Sequence, residues 1–126
     1  MPDITPRLAA GRQLINAYGN GGFRVAGVAH AGSILVFPGR TLAWPVARFE
    51  DLAPQSLEPV LAEVPRVELL VIGLGPALRR LPDPLRNWSR AAGIAVDGMD
   101  TGAACRTFNV LLSEERRAAA ALIAVD

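Results

Sequence analysis

The stretch Glu68–Arg80, ELLVIGLGPALRR, decides the fold. Its apolar β-formers run without alternation and end at Gly73-Leu74-Gly75-Pro76. Such a run belongs to a strand near 67–72 that is covered on both faces, as in the middle of a parallel sheet. A strand breaking into a glycine loop is also how many phosphate sites begin, so the loop must be tested against that chemistry. The dinucleotide fingerprint needs a third glycine where this chain has Leu78. Pro76 removes one backbone N–H from any cradle around a phosphate. Asp97 stands about twenty positions further on, but that spacing is easily matched by chance. A tight turn is expected, in which glycines let the backbone pass close to a neighbouring segment.

Downstream, PDPLRNWSRAAG (82–93) reads as a helix. Asp83 is placed as its N-cap, Pro84 at its first position and Gly93 just past its end. Leu85, Trp88 and Ala92 share one face. IAVDGM follows, with a strand near 94–97. Strand, helix and strand make a βαβ unit whose crossover is right-handed. DTGAACRTFNVLLSEE (100–115) is a second helix capped by Asp100 or Thr101, with Ala104, Phe108, Leu111 and Leu112 as its apolar stripe. The tail RRAAAALIAV has the alanine content of a helix and the length and Leu-Ile-Ala-Val ending of a strand. A strand is expected, because it extends the sheet.

Upstream, SLEPVLAEV (56–64) places Leu57, Val60, Leu61 and Val64 at helical spacing, with Ser56 available as a cap. The segment 12–46 is β-rich and punctuated by Asn20-Gly21-Gly22, Ala31-Gly32 and Pro38-Gly39. Asn-Gly accepts positive φ at small cost, as hairpin turns require. Strands are expected near 12–18, 23–29, 33–37 and 41–44, forming a meander with Phe23, Val25, Ile34 and Val36 among the inward side chains. Residues 1–10 are expected as a loose N-terminal arm and 11–126 as a single α/β domain. No repeat, low-complexity tract or second domain is evident.

Composition narrows the function. The chain has 126 residues and a net charge of +1, with half of its residues hydrophobic. That excludes disorder and gives no electrostatic reason to expect nucleic acid. All thirteen basic residues are arginine. The absence of lysine rules out a Walker A phosphate site and Schiff-base chemistry. The bias to arginine, alanine, glycine and proline fits a GC-rich bacterial genome. One cysteine forbids an internal disulfide and suits a reducing compartment. MPDITPRLAAGR lacks the apolar core of a secretory signal, and no uncharged stretch reaches the ~20 residues of a spanning helix. A cytoplasmic protein without a membrane span is expected.

The candidate sites are few. In α/β sheets, ligands bind beyond the carboxyl ends of the strands. A crevice between loops 73–76 and 98–106 would sit there, with Gly73, Gly75, Pro76, Asp100, Thr101 and Arg106 as its contacts. Helix N-termini favour an anion at such a place; Asp97 and Asp100 oppose one. Cys105, one turn into the last helix, is expected as a buried packing residue. His30, the only histidine, is expected in a surface turn, and without a second base or ligand neither a nucleophilic pair nor a zinc site can be composed. No metal, cofactor or complete catalytic set is expected.

INAYGNGGFRVAGVAHAGSILV, LLVIGLGP and MDTGAACRTFNVLLSEERRAAAALI occur in that order over nearly the whole chain. Together they resemble the single-domain α/β family that includes mitochondrial NADH–ubiquinone oxidoreductase (complex I) assembly factor 3 and many uncharacterised prokaryotic proteins. The resemblance implies a three-layer domain around a mixed central sheet and a strand, not a helix, at the end. It marks Gly73, Gly75, Pro76, Asp100, Thr101, Cys105, Arg106 and Asn109 as motif positions, with no catalytic role to carry over. It also implies a non-enzymatic role in assembly, acting on a protein partner, although this chain has no evident targeting extension. The expected function is therefore a binding or assembly module working through a surface, such as an apolar patch beside the glycine loop with Trp44 or Trp88 nearby. The alternative is a small-molecule (anion) binder or small enzyme using the crevice. A homodimer through the meander's edge strands is compatible with either.

Overall fold

A computed structural model describes residues 11–126, so the arm placed at 1–10 lies outside the described residues. Three strands, β1 (Ile15–Gly19), β2 (Gly22–Val25) and β3 (Val28–Ala31), form a small antiparallel sheet in the order β1-β2-β3. Five more form the central sheet: β4 (Ile34–Val36), β5 (Thr41–Ala43), β6 (Leu69–Gly73), β7 (Ala95–Met99) and β8 (Ala118–Leu122). Their order is β5-β4-β8-β6-β7. β6 runs parallel to β7 and β8, and β4 runs antiparallel to β8 and β5. The described residues also contain three α-helices, α1 (Glu58–Ala62), α2 (Asp83–Ala92) and α3 (Thr101–Ser113), and two 3-10 turns before α1.

β6 is covered on both faces, as its unbroken apolar run predicts. Leu70 and Ile72 point into a cluster with Leu85 of α2, Val60 of α1, Leu57 of the short 3-10 turn before it and the loop residue Trp44. Val71 points the other way, toward Ala104 and Phe108 of α3 and toward Ile15, Phe23 and Val25 of the small sheet. Each fully buried side chain of this size contributes about 1.5–3 kcal/mol. A strand held from both sides is therefore the anchor of the domain. β8 alternates in the same phase, with Ala119 and Ala121 on one face and Ala118, Ala120 and Leu122 on the other. Its alanines favour a helix in isolation. Hydrogen bonding to β4 and β6 on both sides overrides that preference, and the small side chains leave room for α3 to lie over the strand.

Several local expectations are corrected. The strand placed at 23–29 is two strands, because Ala26 and Gly27 both take positive φ and turn the chain. An Ala-Gly pair is a weak turn signal, since alanine enters that region only at some cost. His30 thus lies in β3, opposite Phe23, and not in a turn. The helix placed at 56–64 is shorter: Pro54–Leu57 is a 3-10 turn and α1 spans only Glu58–Ala62. Pro65 disfavours helical backbone at Val64, which leaves Leu61 and Val64 exposed. Ser56 does not cap α1; its hydroxyl donates to Ala53 C=O. Asp83 is the first residue of α2, while Pro82 occupies the cap without a side-chain bond. Gly93 closes α2 in the left-handed conformation as expected. Trp44 is not a surface residue; it is buried and its indole N–H donates to Ser56 C=O at 2.9 Å. The N-terminal strands divide between the two sheets, with β4 and β5 joining the central one.

Candidate functional site

The crevice is set by β6 and β7, which run parallel and end side by side at Gly73 and Met99. Asp100 follows β7 directly and caps α3, its carboxylate accepting from Ala103 N–H at 3.1 Å. Thr101 is wholly buried at the start of that helix. Its hydroxyl accepts from Gly75 N–H at 3.1 Å and donates to Ile123 C=O at 2.8 Å. Three backbone bonds reinforce the same junction: Thr101 N–H to Gly75 C=O, Leu74 N–H to Met99 C=O, and Ile123 N–H to Gly73 C=O. One hydroxyl thus joins three segments that are distant in sequence.

The two glycines serve different needs. A Cβ on Gly73 would stand 2.9 Å from Thr101 Cα and 3.0 Å from its Oγ1, so only glycine permits this approach. Gly75 has φ +110 and open space around it, so its requirement is conformational. Pro76, Ala77 and Leu78 form an exposed tip beyond them. The loop is a tight turn in this sense, and its Gly75 amide already has a partner inside the protein.

A cavity of about 420 Å³ lies beside the junction, lined by Tyr18, Gly75, Pro76, Asp100, Gly102 and residues 124–126. Tyr18 lies against the first turn of α3, where the ring would collide with any Cβ on Gly102. Arg106 donates to the Tyr18 hydroxyl at 3.5 Å and is exposed. The structure therefore gathers Gly75, Pro76 and Asp100 around the cavity. Gly73 and Thr101 lie in the packed junction, and Arg106 reaches it only through Tyr18. Asp100 and Asp126 make the lining acidic. A second hollow on the other side of the loop is edged by Phe49, Pro76 and Arg79. There the Arg79 guanidinium sits 4.4 Å from the Phe49 ring centroid and pairs with Glu50 at 3.3 Å. A backbone hydrogen bond at Glu50 and then the Arg79 guanidinium hold the Glu50 carboxyl below its usual range.

Cys105 is buried on the packing face of α3. Burial pushes its thiol up to about 12, outweighing the pull of Arg106. A thiol in that state is a packing group and not a nucleophile. Among the described residues, no group of three or more His, Cys, Asp or Glu could hold a metal ion. No helix among them is long and apolar enough to cross a membrane.

Asn109 has a role that its motif position alone did not disclose. Its side-chain oxygen accepts from Ile15 N–H and its amide donates to Ile15 C=O, both at 2.9 Å. The pair clips the small sheet onto α3. An asparagine between Phe108 and Val110 in mid-helix is the available signal, because such a side chain needs a partner outside its own helix.

Comparison with known proteins agrees with this architecture. A family described as Protein of unknown function (DUF498/DUF598) matches residues 15–123. NADH dehydrogenase [ubiquinone] 1 alpha subcomplex assembly factor 3 of Xenopus tropicalis is 39% identical over 86% of this chain. The match spans 60% of that relative's length. An uncharacterized protein of Rhodobacter capsulatus is 39% identical over 90% of this chain and 86% of its own. The crystal structure of a Bartonella henselae protein, described as an outer membrane protein, superposes with a TM-score of 0.83. It is 45% identical, covering 92% of this chain and 98% of the other. The chain belongs to the DUF498/DUF598 family.

Proposed function

We propose that this member of the DUF498/DUF598 family is a cytoplasmic protein-binding module that assists assembly of a larger complex and carries out no reaction of its own. The observation that carries this reading is the sealed junction. At the place where α/β proteins usually seat a ligand, the Gly75 amide and the Thr101 hydroxyl bond to each other and to Ile123. The Asp100 carboxylate is occupied by the α3 amide of Ala103. The name of the Xenopus relative, an assembly factor for NADH dehydrogenase, supports the same direction. The exposed tip Pro76-Ala77-Leu78, with Leu78 71% exposed, offers an apolar contact held on a rigid base.

The test is capture by the immobilised chain from cells that contain the ubiquinone-linked NADH dehydrogenase. Recovery of its subunits by the native chain, with loss on Leu78→Asp, supports the module. Their consistent absence removes the assembly reading. The acidic cavity favours a second reading, a small ligand at Gly75, Pro76 and Asp100, since about 420 Å³ falls within the ~300–1,000 Å³ typical of small-molecule sites. A thermal-shift series with small amines and neutral polyols alongside nucleotides, phosphate and small organic acids separates the two. Several degrees of stabilisation by one of them would replace the module with a ligand binder.

A further inference from the structure

We propose that the outer edge of β7 binds an extended acidic segment of a protein partner as an added strand. The inference rests on the binding-module reading and names the surface and the class of partner. β7 is the last strand of the central sheet on its side. Ala95 N–H donates to Glu68 C=O and Met99 C=O accepts from Leu74 N–H, so Ala95, Asp97 and Met99 direct their backbone groups at β6 and its continuation. Val96 and Gly98, in the opposite phase, direct theirs outward, and no strand of the described residues lies beyond them. Two donors and two acceptors are thereby presented along a groove of about 420 Å³.

The groove is basic. Arg79, Arg80, Arg86 and Arg90 line it, against Asp97 alone among acids. Asp97 is one residue out of phase with Val96 and so belongs to the opposite face of the sheet. Arg79 and Arg80 pair with Glu50 and Asp83. Arg86 and Arg90 have no ion-pair partner among the described residues, and they stand one turn apart on α2, where like charges oppose the helix. Four residues of helix rise about 6 Å, and alternate side chains of an extended strand are about 6.6 Å apart. A strand laid along β7 with acidic residues at alternate positions therefore meets both guanidinium groups, while its backbone bonds to Val96 and Gly98. A second copy pairing through its own β7 edge would bring the same arginines against each other, so charge favours a different, acidic occupant.

The probe is a labelled peptide of alternating glutamate and threonine, followed by fluorescence anisotropy with the intact chain. Binding is expected, with none for the lysine–threonine counterpart. Arg86→Glu/Arg90→Glu weakens it roughly tenfold, and Arg86→Gln/Arg90→Gln by a smaller factor. Amide hydrogen exchange at Val96 and Gly98 slows on binding, which a charge contact alone would not produce. Equal binding of the lysine counterpart, no binding, or binding without protection at those two amides would overturn the proposal. Concentration-dependent self-association that protects the same amides would overturn it too, in favour of a second copy. Capture of NADH dehydrogenase subunits is scored separately. Subunits captured while the acidic peptide fails to bind would leave the module standing and remove this surface. Peptide binding without captured subunits would keep the surface and remove the respiratory partner.

Discussion

Two regions of the same βαβ unit treat their backbone polar groups in opposite ways. At the carboxyl end of β6, Gly73, Gly75, Thr101 and Ile123 bond to one another, so the polar groups of that junction have partners inside the protein. Along the outer edge of β7, Val96 and Gly98 leave theirs open beneath arginines. A buried polar group without a partner costs about 1–3 kcal/mol, whereas an exposed one is satisfied by water. The first region must therefore be closed for the domain to be stable, and the second is free to exchange water for a partner. The hydrogen bonds at the place fold analogy points to tie segments of the domain together, whereas the outward backbone groups of β7 have no strand beyond them among the described residues.

The contrast can be broken most severely at Gly73. Gly73→Val forces side-chain atoms against Thr101 backbone and is expected to destabilise by about 3 kcal/mol or more in urea unfolding. A tolerated valine would show that the junction is looser than its distances imply. Thr101→Val keeps the shape and removes the hydroxyl, leaving Gly75 N–H and Ile123 C=O without it. A loss of about 2–3 kcal/mol is expected. Asn109→Ala tests how far the closed side extends along α3. About 1–2 kcal/mol should be lost, with faster amide exchange in β1 to β3 before the central sheet opens.

Cys105 gives a smaller, pH-dependent effect. Its thiol is raised from an ordinary value of 9.0 to about 12 by burial. Between those values the unfolded chain has lost the proton that the folded chain retains, so stability is full below about pH 9 and falls as pH rises toward 12. Cys105→Ala should flatten that alkaline decline in thermal melts, and the native thiol should resist iodoacetamide at neutral pH until the chain unfolds. On the open side, Arg86→Glu should change stability by no more than about 0.5 kcal/mol, since it relieves repulsion with Arg90 and breaks no ion pair among the described residues. A large loss there would mean that the arginine is part of the support and not of a surface.

Much of the central architecture was legible because local signals agreed with tertiary burial. The apolar run before Gly73, the Gly93 stop and the stripe Ala104, Phe108, Leu111 and Leu112 each mark an element that the structure contains. The failures have local physical causes. Ala26-Gly27 turns the chain with a weak turn signal, and Pro65 ends a helix whose apolar spacing would otherwise continue. Pro76 and Leu78 argued against a nucleotide loop from sequence alone. Thr101's role could not be read, because it depends on residues 75 and 123 meeting at its hydroxyl. The open edge was equally hidden: nothing local in Ala95–Met99 says whether a further strand lies beyond it.

The position of β8 has a consequence for biosynthesis. The last of the described strands in chain order occupies the middle of the sheet, between β4 and β6, where its Leu122 pairs with Ile34 of β4. Until Ala118–Leu122 leaves the ribosome, the nascent chain holds two half-sheets with apolar edges and no seam between them. Such contacts, distant along the chain, are slow to form, and a chain truncated before Ala118 should be a substrate for chaperones or proteases and not a smaller version of the domain. The same seam makes a divided protein feasible: a fragment ending before Ala118 and a separate peptide carrying β8 should reassemble only when mixed.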